Sequence, residues 1–399
     1  MALRTKEQVA AYVSQHQLQE RLELALQRVV TEQPADPVAA MAASLTGGAA
    51  PAAASGGLKP RPRTAVGKFL RILTVNDCYK LDNYPRVATA VNMARAEAES
   101  LGCVVSSHLN GDFLSPCSLT AVDGGRGMTE GLNLAKIDYV CLGNHEFDFG
   151  VEVIAARMKQ FKGKAINSNV VNAALDPSLL PKYDVIEVGE RKVLVAGLLT
   201  GDTSIYAPSN TPVVTMPAEA AAQVWDEAKA ALGYTPDVFL PMTHQLIHED
   251  KATAVALSKH DEIGKRMPLI LAGHEHDMYV DESGKTTIVK VGQDAERIGI
   301  CDVWWDAAGK MHSSVQVVPA SDFECEPTAQ KFVEAQHKFL ADMMSAPIAK
   351  VGEPMSSKKV RFEPSGVASF LLAYVQKSLR KEGVGEKPQR PPRLAWRLL

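Results

Sequence analysis

Nowhere in its 399 residues does the chain have a run of about 18 apolar residues, the length a membrane-crossing helix requires. It has no surplus of either charge: 43 Lys and Arg stand against 46 Asp and Glu, a net charge of −3. Charge therefore marks neither a nucleic acid nor an anionic membrane surface as partner. The six cysteines, Cys78, Cys103, Cys117, Cys141, Cys301 and Cys325, lack paired spacing. That argues against a disulfide framework and for reduced, mostly buried thiols. The opening Met-Ala-Leu-Arg-Thr-Lys-Glu-Gln lacks the apolar stretch of a secretory signal and carries an acidic residue early. No internal repeat is apparent. Together these absences lead to the expectation of a cytoplasmic protein, and they name no activity.

The first 46 residues differ from the rest. Leu22, Ala25, Leu26, Val29 and Val30 fall on one helical face, and Pro34 stops that helix. Asp36 and Pro37 then open a second helix, with Val38, Met41, Ala42 and Leu45 on its apolar side. Two such short helices cannot bury both stripes on each other; they need a partner, most simply a second copy. The stretch from Tyr12 to Leu45, with Glu-Gln-Pro-Ala-Asp-Pro at 32–37, resembles the RII-type dimerisation-and-docking domain and the related dumpy-thirty helix pair. The resemblance implies a homodimer through residues 1–46 whose groove accepts an amphipathic anchoring helix, and with it cytoskeletal or flagellar anchoring. A helical hairpin packed on the main domain is the competing arrangement. Residues 47–67 are rich in Gly, Ala and Pro and read as a flexible linker.

Over residues 68–320, buried-strand runs such as Phe69 to Val75, Tyr139 to Leu142, Val238 to Met242 and Leu269 to Ala272 occur. They alternate with helical stretches, of which Ala88 to Ser100 and Pro217 to Leu232 are the clearest. The alternation predicts an α/β domain. The ends of the strands are the informative part. Asn76-Asp77, Gly111-Asp112, Gly143-Asn144-His145-Glu146-Phe147-Asp148, Thr243-His244 and Gly273-His274-Glu275-His276 each come after an apolar run. In an open α/β sheet such positions converge on one crevice. Asp, Asn and His without a thiolate suit divalent Mn, Fe, Zn or Co. The glycines before three of these ligand groups allow sharp turns.

The order of these motifs resembles the calcineurin-like metallophosphoesterases, and the flanking residues resemble their 5′-nucleotidase branch. Supporting stretches are Asp112 to Pro116, Met128 to Leu134, Asn144 to Gly150, Gly197 to Thr203 and Gly292 to Gly299. The resemblance implies a four-layer α/β sandwich, preceded here by the short all-α hairpin. It implies two divalent metal ions: Asp77 and His276 on the first, Asn144, His244 and His274 on the second, and Asp112 between them. His145, oriented by Asp148, would protonate the leaving oxygen or stabilise the phosphoryl group. The reaction implied is in-line attack of activated water on a phosphate ester, with nucleotides as the implied class, without a phosphoenzyme.

Two departures stand out. Tyr79 takes the place of a histidine ligand in the family's Asp-x-His motif, and a neutral phenol is a poor ligand beside an imidazole. Residues 321–380 resemble a linker and only the opening of the nucleotidase C-terminal domain, and 381–399 form a basic, Pro-rich tail. No substrate-gripping residue is identified, and Phe362, Phe370 and Tyr374 read as core. Both departures motivate a second reading: a weakened phosphoesterase acting mainly as a dimeric docking protein. Among the other histidines, His248 reads as partly exposed, His16 belongs to the helical module, and His108, His260, His312 and His337 read as surface or turn residues. For the helix pair the expected outcome is concrete. A fragment of residues 1–46 sediments as a dimer at micromolar concentration, and a monomer there refutes the pairing.

Overall fold

Phe69–Val75 is buried along its whole length, Arg71 included; such a strand must be covered on both faces. The computed structural model describes residues 58–345 apart from 172–174, 208 and 283, together with 355, 356 and 364–381. The expected hairpin of residues 1–46 and the tail 382–399 lie outside the described residues. The chain divides at His337/Lys338.

The first half alternates β1 (Phe69–Val75), α1 (Tyr84–Leu101), β2 (Cys103–Asn110), α2 (Ser118–Asp123), α3 (Arg126–Leu134), β3 (Tyr139–Cys141), α4 (Val151–Gln160) and β4 (Lys164–Ile166). Then come β5 (Val170–Val171), β6 (Tyr183–Val188), β7 (Arg191–Leu199), β8 (Val213–Val214), α5 (Pro217–Leu232), β9 (Val238–His244), α6 (Ile247–Ser258) and β10 (Leu269–Gly273). β11 (Met278–Asp281), β12 (Thr287–Val291), β13 (Arg297–Trp305), β14 (Met311–Pro319) and α7 (Pro327–Ser345) come next, with α8 (Gly366–Lys381) in the second unit.

Two six-stranded sheets result, in the orders β14-β13-β1-β2-β3-β4 and β11-β12-β10-β9-β7-β6. β1 to β4 run parallel, as do β7, β9, β10 and β12. Leu70, Ile72 and Cys141 of the first sheet share one buried cluster with Val195, Leu240 and Leu271 of the second. The far face of the second sheet is sealed by Trp225, Val224 and Ala228 of α5 and by Leu257 of α6. On the first sheet, α1 turns Val87, Ala88 and Val91 inward against β1 and β2. The layers are therefore helix, sheet, sheet, helix, the expected four-layer sandwich. α1 begins earlier than its apolar spacing suggests because Pro85 suits a first helical turn. Among the described residues no helix is long and apolar enough to cross a membrane.

Three positions differ from expectation. Of the linker over 47–67, the described part, residues 58–67, is tied to the domain rather than free. Arg61 donates to the carbonyls of Leu101 and Gly67, each at 2.7 Å. Arg71, paired with the buried Asp302 at 2.8 and 2.9 Å, also donates to the carbonyl of Lys59 at 2.7 Å. A buried guanidinium has donors left over after one carboxylate, and backbone carbonyls meet them. Tyr374 is 55% exposed on α8 rather than part of a core. Its ring lies 4.8 Å from that of Phe370, and Phe362 lies outside the described residues.

His108 is fully buried on β2 rather than at the surface. Its Nε2 lies 2.8 Å from Ser106 Oγ, its Nδ1 3.3 Å from the Met242 sulfur, and its ring stacks on Tyr139. Burial pulls its pKa from 6.5 down to about 4. A histidine harder to protonate folded than unfolded gives stability that is whole above pH 6.5 and is lost as pH falls toward 4. The loss is at most roughly 3 kcal/mol. His108→Gln should therefore show a shallower decline than the parent in urea melts between pH 7 and 4; parallel declines would contradict this.

Candidate metal centre

Parallel strands in facing sheets carry their carboxyl ends to one rim, and the motifs sit there. β1 runs into Asn76-Asp77, β2 into Gly111-Asp112, β3 toward Asn144, while β9 ends on His244 and β10 on Gly273, just before His274. Asp77, Asp112 and His274 all adopt positive φ, at 53°, 55° and 91°. Non-glycine residues rarely take that conformation, and it recurs where a side chain must be aimed. The glycines beside them act mostly through size. A Cβ at Gly143 would lie 2.2 Å from Asp112 Oδ1, and one at Gly273 2.2 Å from the Asn110 carbonyl. Of these glycines only Gly111, at φ 79°, is a sharp turn as well. The loops thus touch backbone to side chain at Gly143 and backbone to backbone at Gly273.

Asp77, Asp112 and His244 are buried, with one donor atom of each within 4.8 Å of the others. His244 Nδ1 lies 2.8 Å from the Asn110 carbonyl, which can only accept, so the proton sits on Nδ1. Nε2 is left buried without a hydrogen bond, 3.3 Å from Asp112 Oδ2 and 3.9 Å from Asp77 Oδ1. Burial opposes charge on this ring, but Asp112 and Asp77 outweigh it and push its pKa up to about 10. The two carboxylates call for positive charge at Nε2, whether a proton or a cation. Asn144 Oδ1 is likewise buried and unpartnered. The His274 ring lies 5.0 Å from that of His244; burial, then the neighbouring His244, lower its pKa to about 4, which keeps it in the neutral form that binds metals. An orphaned imidazole nitrogen and an orphaned amide oxygen beside a carboxylate fit a divalent ion.

The opposite half of the cluster is arranged otherwise. Tyr79 Oη lies 2.9 Å from Asp112 Oδ2, 3.1 Å from Asp77 Oδ1 and 2.9 Å from His276 Nε2. Burial, then the charges of Asp112 and Asp77, raise the phenol's pKa far above its ordinary value. At the mouth, His145 donates its backbone N–H to Asp112 Oδ1 at 2.9 Å, and its Nδ1 lies 2.9 Å from Asp148 Oδ2. Ser115 Oγ donates to the same Asp148 oxygen at 2.7 Å. Burial disfavours charge on His145, but the Asp148 hydrogen bond and the nearby Asp112 prevail and raise its pKa. All eight residues singled out from sequence therefore meet at one rim.

Supporting groups were not anticipated. Glu146 is buried and accepts backbone N–H groups from Gly143 (2.6 Å), Asp112 (2.9 Å), Phe113 (2.8 Å) and Leu114 (3.0 Å). It staples the loop after β2 to the loop after β3. Burial, then Asp112, lift its pKa to about 7. Lys290 of β12, also fully buried, donates to the carbonyls of Gln245 (2.6 Å) and Gly273 (2.7 Å). It pairs with Asp250 at 2.9 Å and with Glu275. One ammonium thus ties the His244 loop to the His274 loop. A lysine within the apolar run Thr287–Val291 was its sequence signal.

No protein-family model matches the chain. It is 30% identical over 112 residues to the 2′,3′-cyclic-nucleotide 2′-phosphodiesterase/3′-nucleotidase of Haemophilus influenzae, covering 26% of this chain and 16% of that protein. It is 25% identical over 198 residues to the 5′-nucleotidase of Vibrio cholerae, covering 47% of this chain and 35% of that protein. The chain thus spans about a third or less of the length of these relatives. The calcineurin-like phosphoesterase YfkN of Bacillus subtilis superposes with a TM-score of 0.56 at 17% identity, over 70% of this chain and 99% of the other. The fold is that of the calcineurin-like metallophosphoesterases, and the sequence is similar to nucleotide-hydrolysing enzymes.

Proposed function

We propose that this chain is a metal-dependent hydrolase of phosphate esters, with nucleotides as its substrate class. The observation that carries this is the pair of buried, unpartnered donors, His244 Nε2 and Asn144 Oδ1, beside Asp112. Asp112, Asn144, His244 and His274 would hold a divalent ion there; Asp77 and His276 are the ligands expected of a second. Bound metal supplies Lewis acidity toward a phosphoryl oxygen and lowers the pKa of water. The remaining chemistry belongs to side chains. His145 has its Nδ1 committed to Asp148, which leaves Nε2 to meet the leaving oxygen as a general acid. Ser115 holds Asp148, and so the ring, in one orientation. Glu146 and Lys290 keep the ligand loops in register. The nucleotide class rests on the two relatives named above. Residues 1–46 are proposed to join two such chains and to offer a groove to an anchoring helix.

A second reading, a weakened phosphoesterase serving mainly as a docking protein, draws support from Tyr79 lying among Asp77, Asp112 and His276. Turnover separates the two. With Mn, Zn, Fe or Co supplied, the chain should release phosphate from an aryl phosphate and from nucleotides. Asp112→Ala and Asn144→Ala should each lower that rate by more than about 100-fold, since changes even behind a metal's ligands cost about 10–100-fold. His145→Ala should cost about 100- to 10,000-fold in kcat. Full turnover in both ligand variants would refute the mechanism, and no turnover under any metal would leave the docking reading.

A further inference from the structure

We propose that the Tyr79 side chain takes the place of one metal ion, so that the chain binds a single tight divalent cation, on the side of Asn144, His244 and His274. This rests on the reading of the rim as a metal site. Tyr79 Oη stands 2.9 to 3.1 Å from Asp77 Oδ1, Asp112 Oδ2 and His276 Nε2 at once. An ion serving those three atoms would need bonds of about 2.0–2.2 Å to nitrogen and oxygen. It would have to sit in the space the phenol oxygen fills.

Side-chain length explains the exchange. A tyrosine reaches farther from its Cβ than an imidazole does, so the group standing two residues after Asp77 ends among the ligands instead of beside them. The hydroxyl suits this place in part: its one proton can go to Asp112 Oδ2 or Asp77 Oδ1 at a time, and its lone pairs can accept from an imidazole N–H. The ring is held in place. The backbone N–H of Tyr79 donates to Asp294 Oδ1 at 2.9 Å, and the Asp294 N–H donates to the Asp77 carbonyl at 2.7 Å. The ring packs edge-on against His276 and His145, with centroids 5.3 and 6.2 Å away.

The two sides of the cluster are unequal in what they still need. On the Tyr79 side, Asp77 Oδ1, Asp112 Oδ2 and His276 Nε2 already share the phenol as a partner. His244 Nε2, 3.3 Å from Asp112 Oδ2, and Asn144 Oδ1 make no hydrogen bond. Unmet polar atoms in a buried setting are costly, and only this second group is left wanting a ligand.

The test counts ions. Full-length protein freed of metal and titrated with Mn2+ should bind one ion per chain tightly by calorimetry. Its electron paramagnetic resonance spectrum should be the six-line signal of an isolated Mn2+. Tyr79→His should bind two and give the broadened spectrum of a spin-coupled pair. Two tight, coupled ions in the parent overturn the proposal while leaving the metal site intact, as does a single ion in a folded Tyr79→His. No tight ion in the parent overturns the reading of the site itself. If Tyr79→His does not fold, the count and spectrum of the parent decide.

Discussion

Everything at the rim depends on two carboxylates, Asp77 and Asp112, being packed out of water within reach of one imidazole. Buried like charges repel strongly and are tolerated only when hydrogen bonds or positive charge meet them. The surrounding groups do this. Asp77 Oδ2 receives the Asn76 amide at 2.7 Å and the His274 N–H at 2.9 Å. Asp112 Oδ1 receives the His145 N–H. The strained backbone at Asp77, Asp112 and His274 is the geometric cost of aiming these groups inward. The narrow glycines let the loops that carry them come together.

A third carboxylate, Glu146, lies close behind and would worsen the repulsion if it pointed at the rim. It points away, into four backbone N–H groups, and so becomes a fastener. On the second sheet Lys290 has the complementary role, gathering two carbonyls and two carboxylates under His244 and His274. One sheet thus moors its ligand loops with a buried anion, the other with a buried cation. Removing one partner from such a network strands the others, which makes these groups as consequential as the side chains they support.

Much of this was legible in the sequence because strand ends and short polar motifs are local signals. The α/β alternation, the Gly-Asn-His-Glu-Phe-Asp turn and the Gly-His-Glu-His turn all depend on neighbours within a few residues, whereas the four-layer sandwich came only with the family resemblance. What escaped is non-local. His108 carries the same letter whether it caps a turn or stacks on Tyr139 under Met242, and only the pairing of β2 with its neighbours decides. Residues 58–67 have the composition of a tether, yet the leftover donors of Arg71 and the reach of Arg61 hold them. Glu146 was in view as a letter within a motif; its role needed the adjacent loop to be in place. The two-helix reading of residues 1–46 lies beyond the described residues and stands on its pattern alone.

Tyr79 shows how a local anomaly acquires meaning from its surroundings. In the sequence it is a lost ligand, and a lost ligand suggests a weakened site. In the structure the same residue is a gained hydroxyl, set among three groups that would otherwise need a cation. The two descriptions differ in consequence. A missing ligand leaves buried charge unmet, and the loops bearing Asp77 and His276 would then depend on a loosely held ion. A hydroxyl that gives a hydrogen bond among those groups lets the loops keep their form with positive charge needed only at His244 Nε2. The atoms left without a hydrogen bond, His244 Nε2 and Asn144 Oδ1, show where the same rim still asks for a partner: His244 Nε2 faces Asp112 Oδ2 at 3.3 Å, the oxygen the phenol also reaches, while His145 holds the other oxygen through its N–H.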